Sequence, residues 1–390
     1  MFDIERFITK TDRIIAKARE KAAIRLQWGE PAFKLPIDVK ERIKNALTEA
    51  IDKGLTRYTS PAGLEELRSI IVDKLKEKNK INASVEEIVV TVGGTAALSF
   101  IFKILAKDNF IVIPDPGWFA YPPVAHIVGA DIIYVPEERY GYEELLKAKA
   151  EAERRGKKLK AIVINSPSNP SGYIYSKAQL KEILDFAEDY SIFVISDEVY
   201  EDFVLKGKHV SAASLNKERV LSVFSLSKTY SLTGLRIGYI VAPDESLAKK
   251  IAIAQLHTYV CPPSITQYVA MICIREKIEG MYIKEWLKGI EENVEYVAKA
   301  LLERNIRWRE PMGGIYVWFP LPKVDSAKFA EKLLEEKGVG VAIGEDFGTR
   351  WQEYIRVLSA VDGQVFREGL TRIFDLYDNL MQLTIDSKNK

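Results

Sequence analysis

The chain has 390 residues, 47% of them hydrophobic and 28% charged, with a formal net charge of +1 at pH 7. That balance describes an ordinary globular protein longer than one typical domain; it offers no basic surface for nucleic acid and no apolar run of the roughly eighteen residues that a membrane span needs. Two cysteines, Cys261 and Cys273, are too few for a disulfide framework, His126, His209 and His257 show no metal spacing, and MFDIERFITKTDR lacks the basic-then-apolar order of a secretory signal, so a reducing, cytoplasmic location is expected.

In chain order, the first strong pattern is IDVKERIKNALTEAIDKG. Asp38 reads as N-cap with Glu41 as its capping-box partner, Ile43, Leu47 and Ile51 recur every fourth residue, and Gly54 is the stop. GLEELRSIIVDKLKEKN repeats the helical period through Leu64, Leu67, Ile71 and Leu75. EIVVTV follows, a short β-branched run that reads as a strand, and NFIVIPD, AIVINS, IFVISDE and RVLSVFS share its texture. Their near-continuous Val and Ile content fits a mainly parallel sheet covered by helices on both faces, which makes the class α/β. Among these runs, SKAQLKEILDFAEDY opens with Ser176 and Gln179 in capping-box register. The texture changes near residue 280. KEWLKGIEENVEYVAKALLERN reads as a long helix through Trp286, Ile290, Val294, Val297 and Leu301, and the remainder reads as a smaller α+β unit. The expected division is a large α/β domain over 41–280 and a small α+β domain over 281–390, joined by residues 1–40, with the terminal DSKNK frayed.

Four strand runs end in polar or glycine-bearing turns: VGGTAAL, NSPSNPSG, SDEVY and SLSK. Ligands of open α/β sheets bind beyond the carboxyl ends of the strands, so these turns are expected to meet at one crevice. In SLSKTYSLTGLRIGY, Lys228 stands among Ser225, Ser227 and Thr229, with Arg236 eight residues on. A lysine that is buried or close to other cations loses affinity for its proton, and the neutral amine condenses with an aldehyde. If the aldehyde belongs to a phosphorylated cofactor, Ser225, Ser227 and Arg236 supply hydroxyls and a fixed cation. The amides of Gly94 and Thr95, with the Thr95 hydroxyl, add the positive end of a helix for the same phosphate. Taken singly, each residue has a plainer reading: Lys228 as a loop residue, Asp197 as a helix cap, Arg236 and Arg356 as surface ion-pair partners, Trp118 as a core aromatic.

Together, NSPSNPSG, SDEVYEDF and SLSKTYSLTGLRIGY, in that order and at that separation, resemble the fold-type I, pyridoxal-phosphate-dependent aminotransferases of the class I/II family. The likeness runs from LQWGEPAF to YIRVLSA. It implies pyridoxal 5'-phosphate held by Lys228 as a Schiff base, with Lys228 then shuttling the substrate proton. Asp197 is implied to pair with the pyridine nitrogen, Asn169 and Tyr200 to bind the phenolic oxygen, and Trp118 to stack on the ring. Arg356 is implied to grip the substrate α-carboxylate with Asn169 and the Gly29 amide, and Tyr58 to reach the phosphate of a neighbouring subunit in a homodimer with shared sites. The chain departs from many relatives in having Gly93 where they place a serine. HTYVCPPSIT, expected to line the pocket, brings His257 and Tyr259 and no arginine for a distal carboxylate.

The expected activity is transfer of an α-amino group between an amino acid and a 2-oxo acid, with 2-oxoglutarate as acceptor and an aspartate-type or broad, aromatic range of donors. The alternative is a β-eliminating lyase of the C–S type on the same cofactor. An amino-acid-sensing transcription regulator would need a DNA-binding module, for which too little chain precedes LQWGEPAF. A cofactor-free lysine aldolase would not require the phosphate cradle or Asp197.

Overall fold

All five apolar runs form strands of one sheet in the computed structural model, which describes residues 8–21 and 23–388. The strands are β1 (Ile24–Arg25), β2 (Ile88–Thr91), β3 (Phe110–Asp115), β4 (Asp131–Pro136), β5 (Leu159–Asn165), β6 (Phe193–Asp197), β7 (Val220–Ser225), β8 (Gly238–Val241), β9 (Tyr316–Pro320), β10 (Val339–Gly340), β11 (Ala342–Ile343) and β12 (Tyr354–Leu358). The central sheet has the order β2-β8-β7-β6-β5-β3-β4. β3 to β7 run parallel, and β8 is antiparallel to both β7 and β2, so all but β8 point their carboxyl ends to one edge.

Side chains alternate across this sheet as a twofold period demands. Ile88, Val90, Val112, Ile162 and Val194 join one apolar cluster, whereas Val89, Ile111, Val163 and Ile195 join the other. Helices Ile37–Asp52, Glu65–Lys74, Tyr142–Arg154, Lys177–Asp189 and Ser264–Arg275 supply Val39, Leu67, Leu145, Ile183 and Val269 to the first. Helices Gly93–Ala106, Tyr121–Ile127 and Glu245–Tyr259 supply Ile101, Ala125 and Ile251 to the second. At about 1.5–3 kcal/mol for each fully buried Val, Leu or Ile, the two faces hold the sheet rigid beneath its carboxyl edge.

The Ser176 and Gln179 capping box forms as expected, as does the stripe from Trp286 to Leu301 on helix Ile283–Glu303. Helix Ile37–Asp52 differs from expectation. Its N-cap is Pro36, and Asp38 lies inside the first turn, where its charge complements the helix dipole without capping. Its buried residues are Val39, Ala46 and Ala50, small enough to let helix Ser264–Arg275 pack closely, while Ile51 is exposed. Gly54, at φ +73°, ends it as expected.

Beyond the sheet, β11, β12 and β9 form an antiparallel sheet, flanked by helices Ile283–Glu303, Ser326–Lys337 and Gly363–Lys388. β1 pairs in parallel with β10, which stitches the N-terminal segment to this C-terminal unit. The tail expected to fray is helical through Lys388, and residues 389–390 lie outside the described residues.

Candidate active site

The site residues expected from the sequence, apart from Tyr58 and the HTYVCPPSIT residues His257 and Tyr259, line one cavity of about 250 Å³ at the carboxyl edge of the sheet. A larger hollow of about 460 Å³ lies behind helix Leu226–Thr229, walled by the ion pairs Lys74–Glu201 and Lys78–Asp202. Neither Lys228 nor Arg356 lines that hollow, so the chemistry belongs to the smaller cavity.

β7 ends at Ser225, whose hydroxyl caps the turn Leu226–Thr229 by accepting from the Ser227 amide at 3.2 Å. That turn puts Lys228 into the cavity, where its Nζ donates to the Gly29 carbonyl and lies 6.0 Å from the centre of the Tyr200 ring. Burial, then the nearby charge of Arg356, pushes the Lys228 ammonium down to about 8. Gly29 therefore meets Lys228 through its carbonyl oxygen.

Helix Gly93–Ala106 begins at the cavity, bringing Gly94 and Thr95 to its wall with Ser225, Ser227 and Arg236. Gly93 has φ +79°, and a Cβ there would lie 2.6 Å from Arg236 Nη2. The guanidinium thus occupies the space that a serine side chain at 93 would take. This corner combines a helix N-terminus, hydroxyls and a cation, the donor set a phosphate needs.

Asp197, at the end of β6, is buried and accepts from the Tyr121 hydroxyl at 2.6 Å and the Val199 amide at 3.4 Å. Burial pushes its carboxyl up to about 6, against the opposing pull of the Tyr121 hydrogen bond. Trp118 stands edge-on to Tyr121, with ring centroids 5.4 Å apart. Asn165, at the end of β5, donates to the Asp197 carbonyl at 2.9 Å and accepts the Asn169 amide at 2.7 Å, which locks the two turns together.

Arg356 projects from β12 and is 1% exposed. Its Nη1 donates to Asn169 Oδ1 at 2.9 Å, its Nη2 to the Gln27 carbonyl at 2.8 Å, and its Nε has no partner among the described residues. Its guanidinium also lies 4.0 Å from the Tyr316 ring centroid. Both oxygens are neutral, so the guanidinium is buried beside an open cavity with no anion hydrogen-bonded to it, an arrangement that costs stability unless an anionic ligand binds there.

Tyr58 is 83% exposed and lies with Tyr259, Cys261 and Pro262 around a separate surface hollow. HTYVCPPSIT thus does not line the cavity of its own chain: helix Glu245–Tyr259 carries it to this outer face, and His257 is exposed. Sequence reasoning missed Tyr121, Tyr316, whose hydroxyl lies 3.0 Å from that of Tyr200, and Ile15 and Phe119 on the cavity wall. A signal existed for Tyr121, three residues after Trp118. None marked Tyr316.

A family model described as aminotransferase class I and II matches residues 21–373. An aspartate aminotransferase of Pyrococcus abyssi is 36% identical over 366 residues, covering 90% of this chain and 91% of that protein. The aromatic-amino-acid aminotransferase 2 of Thermococcus litoralis is 34% identical over 363 residues, covering 90% of each. The crystal structure of an aromatic aminotransferase from Pyrococcus horikoshii superposes with a TM-score of 0.84 at 32% identity, over 94% of this chain and 99% of that one.

Proposed function

The chain belongs to the aminotransferase class I and II family and is a pyridoxal-phosphate-dependent transaminase, and on that premise we propose how the cavity residues divide the work. The cofactor, when bound, supplies an aldehyde that accepts the amino group and a ring that draws electrons from the substrate α-carbon. The donor set fits that group: Gly94, Thr95, Ser225, Ser227 and Arg236 hold its phosphate, Asp197 its pyridine nitrogen, Asn169 and Tyr200 its phenolic oxygen, and Trp118 its ring face. Lys228 would hold it covalently and, once released by the substrate amine, take the proton from the substrate α-carbon, a role favoured by the burial that lowers the affinity of its amine for a proton. Arg356 grips the α-carboxylate, gaining a charged acceptor beside the neutral oxygens of Asn169 and Gln27 that orient it. The buried guanidinium with only neutral partners is the observation that carries this reading.

The substrate range is an aspartate-type or broad, aromatic one, with 2-oxoglutarate as acceptor. Both relatives' names support it, and the apolar lining from Ile15, Phe119 and Tyr316 favours the broad form. Nothing in the cavity or the relatives favours the β-eliminating lyase. Tyr58, exposed beside Pro262, supports a homodimer in which it completes the partner's phosphate site. Among the described residues no helix is long and apolar enough to cross a membrane, which is compatible with a cytoplasmic enzyme. The β1–β10 pairing supports assigning residues 1–40 to the small unit over 281–390, beside a large domain over 41–280. A panel of amino donors added without acceptor, read by loss of the visible cofactor band and by its return on adding 2-oxoglutarate, tests the range: tyrosine and phenylalanine are expected to react alongside aspartate, and activity confined to aspartate refutes the broad reading.

A further inference from the structure

Glu137 lies just beyond β4, is wholly buried, and does not line the active cavity. Its oxygens accept from the Ser171 hydroxyl at 2.8 and 2.7 Å and from Arg309 Nη2 at 2.6 Å. Burying a carboxylate costs several kcal/mol unless it is paired and hydrogen-bonded, so a buried acid outside the cavity invites a question about what its bonds hold in place.

They hold two segments that converge on Arg356. Ser171 belongs to the turn carrying Asn169, whose Oδ1 is 2.9 Å from Arg356 Nη1. Arg309 begins the segment that leads into β9 and so to Tyr316, whose ring lies 4.0 Å from the Arg356 guanidinium. The segments also meet directly, through Met312 and Gly313 amides donating to the Gly172 carbonyl at 2.9 and 3.0 Å. There is no slack between them, since a Cβ on Gly172 would fall 2.4 Å from Pro311 Cβ.

We propose that Glu137 is a positioning residue for amino-acid binding: through Ser171 it fixes Asn169, through Arg309 it fixes Tyr316, and the two together aim the Arg356 fork. This rests on the reading of Arg356 as the carboxylate grip and of Asn169 as a partner of the cofactor. Loosening the clamp reaches substrate affinity before it reaches proton transfer, because Lys228 stands on a different strand end.

The test uses the holoenzyme and the variants Glu137→Gln, which keeps the shape and loses the ion pair, and Arg309→Lys, which keeps a cation beside the buried acid, loses the fixed guanidinium geometry at a side chain 50% exposed, and serves where the buried variant fails to fold. An α-methyl amino acid, which binds but has no α-proton to lose, reports affinity without turnover. Its Kd, and KM for the amino donor, are expected to rise about tenfold, with kcat within about twofold, and the pH titration midpoint of the visible band is expected to shift as Asn169 loses its register. A lower melting temperature with unchanged Kd, KM and midpoint makes Glu137 a purely structural residue and overturns the proposal. Failure of the underlying reading is distinct: the wild type itself then shows no visible band and binds no α-methyl amino acid.

Discussion

Replacing Arg356 with lysine tests the carboxylate grip by keeping the charge and removing the fork. In the free site, Nη1 and Nη2 each hold a neutral oxygen, at 2.9 and 2.8 Å, while a substrate carboxylate offers both an oxygen and a charge. Lysine keeps a point charge but presents no planar pair of N–H groups, so one charge-assisted hydrogen bond is lost. Such bonds contribute about 1.5–3 kcal/mol, equivalent to a fall of roughly 10- to 150-fold in kcat/KM at about 1.4 kcal/mol per factor of ten. The assay is a single-turnover half-reaction with an amino acid, following the visible band as donor concentration varies. Arg356→Gln goes further and removes a buried cation with neutral partners, so its melting temperature is expected to hold or rise while binding collapses. A fall of less than about threefold in Arg356→Lys, below the range for even one such bond, refutes the assignment.

Asp197 links the site to stability. Burial raises its carboxyl from the ordinary 3.8 to about 6, so the folded apoprotein binds this proton more tightly than the unfolded chain does. Its contribution to stability is therefore greatest below the unfolded pKa and declines as pH rises through the folded value, by about 3 kcal/mol for a shift of about two units. The apoprotein of Asp197→Asn is expected to melt above wild type at pH 8, with the gap closing toward pH 4; equal melting at pH 8 contradicts this. Gly93→Ala puts a methyl group at φ +79° and 2.6 Å from Arg236 Nη2. It is expected to weaken cofactor affinity about tenfold or more by displacing the guanidinium, and an unchanged dissociation constant by spectroscopic titration rules that out.

The parts of the site legible in the sequence were those written as local motifs at strand ends. VGGTAAL, NSPSNPSG, SDEVY and SLSK each place side chains within a few residues of a buried strand, so the sheet's own geometry brings Gly94, Asn169, Asp197 and Lys228 together. What escaped depends on contacts between distant segments. Tyr121 reaches Asp197 across 76 positions, and Tyr316 reaches Tyr200 across 116. Sequence reasoning missed β4, an edge strand with mixed burial, and β8, whose Gly238 and Tyr239 fall inside the SLSKTYSLTGLRIGY motif and are read there for their chemistry. Asp38 failed as a cap because Pro36 already sets the entry angle of its helix, a choice between neighbours that propensity alone does not make. Tyr58, implied by the family likeness to serve a neighbouring subunit's site, lies exposed on the outer face of its own chain.

Every proposed role in the cavity depends on Lys228 being the amine that carries the cofactor. Incubating the protein with pyridoxal phosphate, reducing with borohydride and mapping the peptides is the most direct measurement. The expected result is a single stable adduct on Lys228, with loss of the visible band. An adduct on another lysine, or an unlabelled Lys228 in protein that still transaminates, contradicts it.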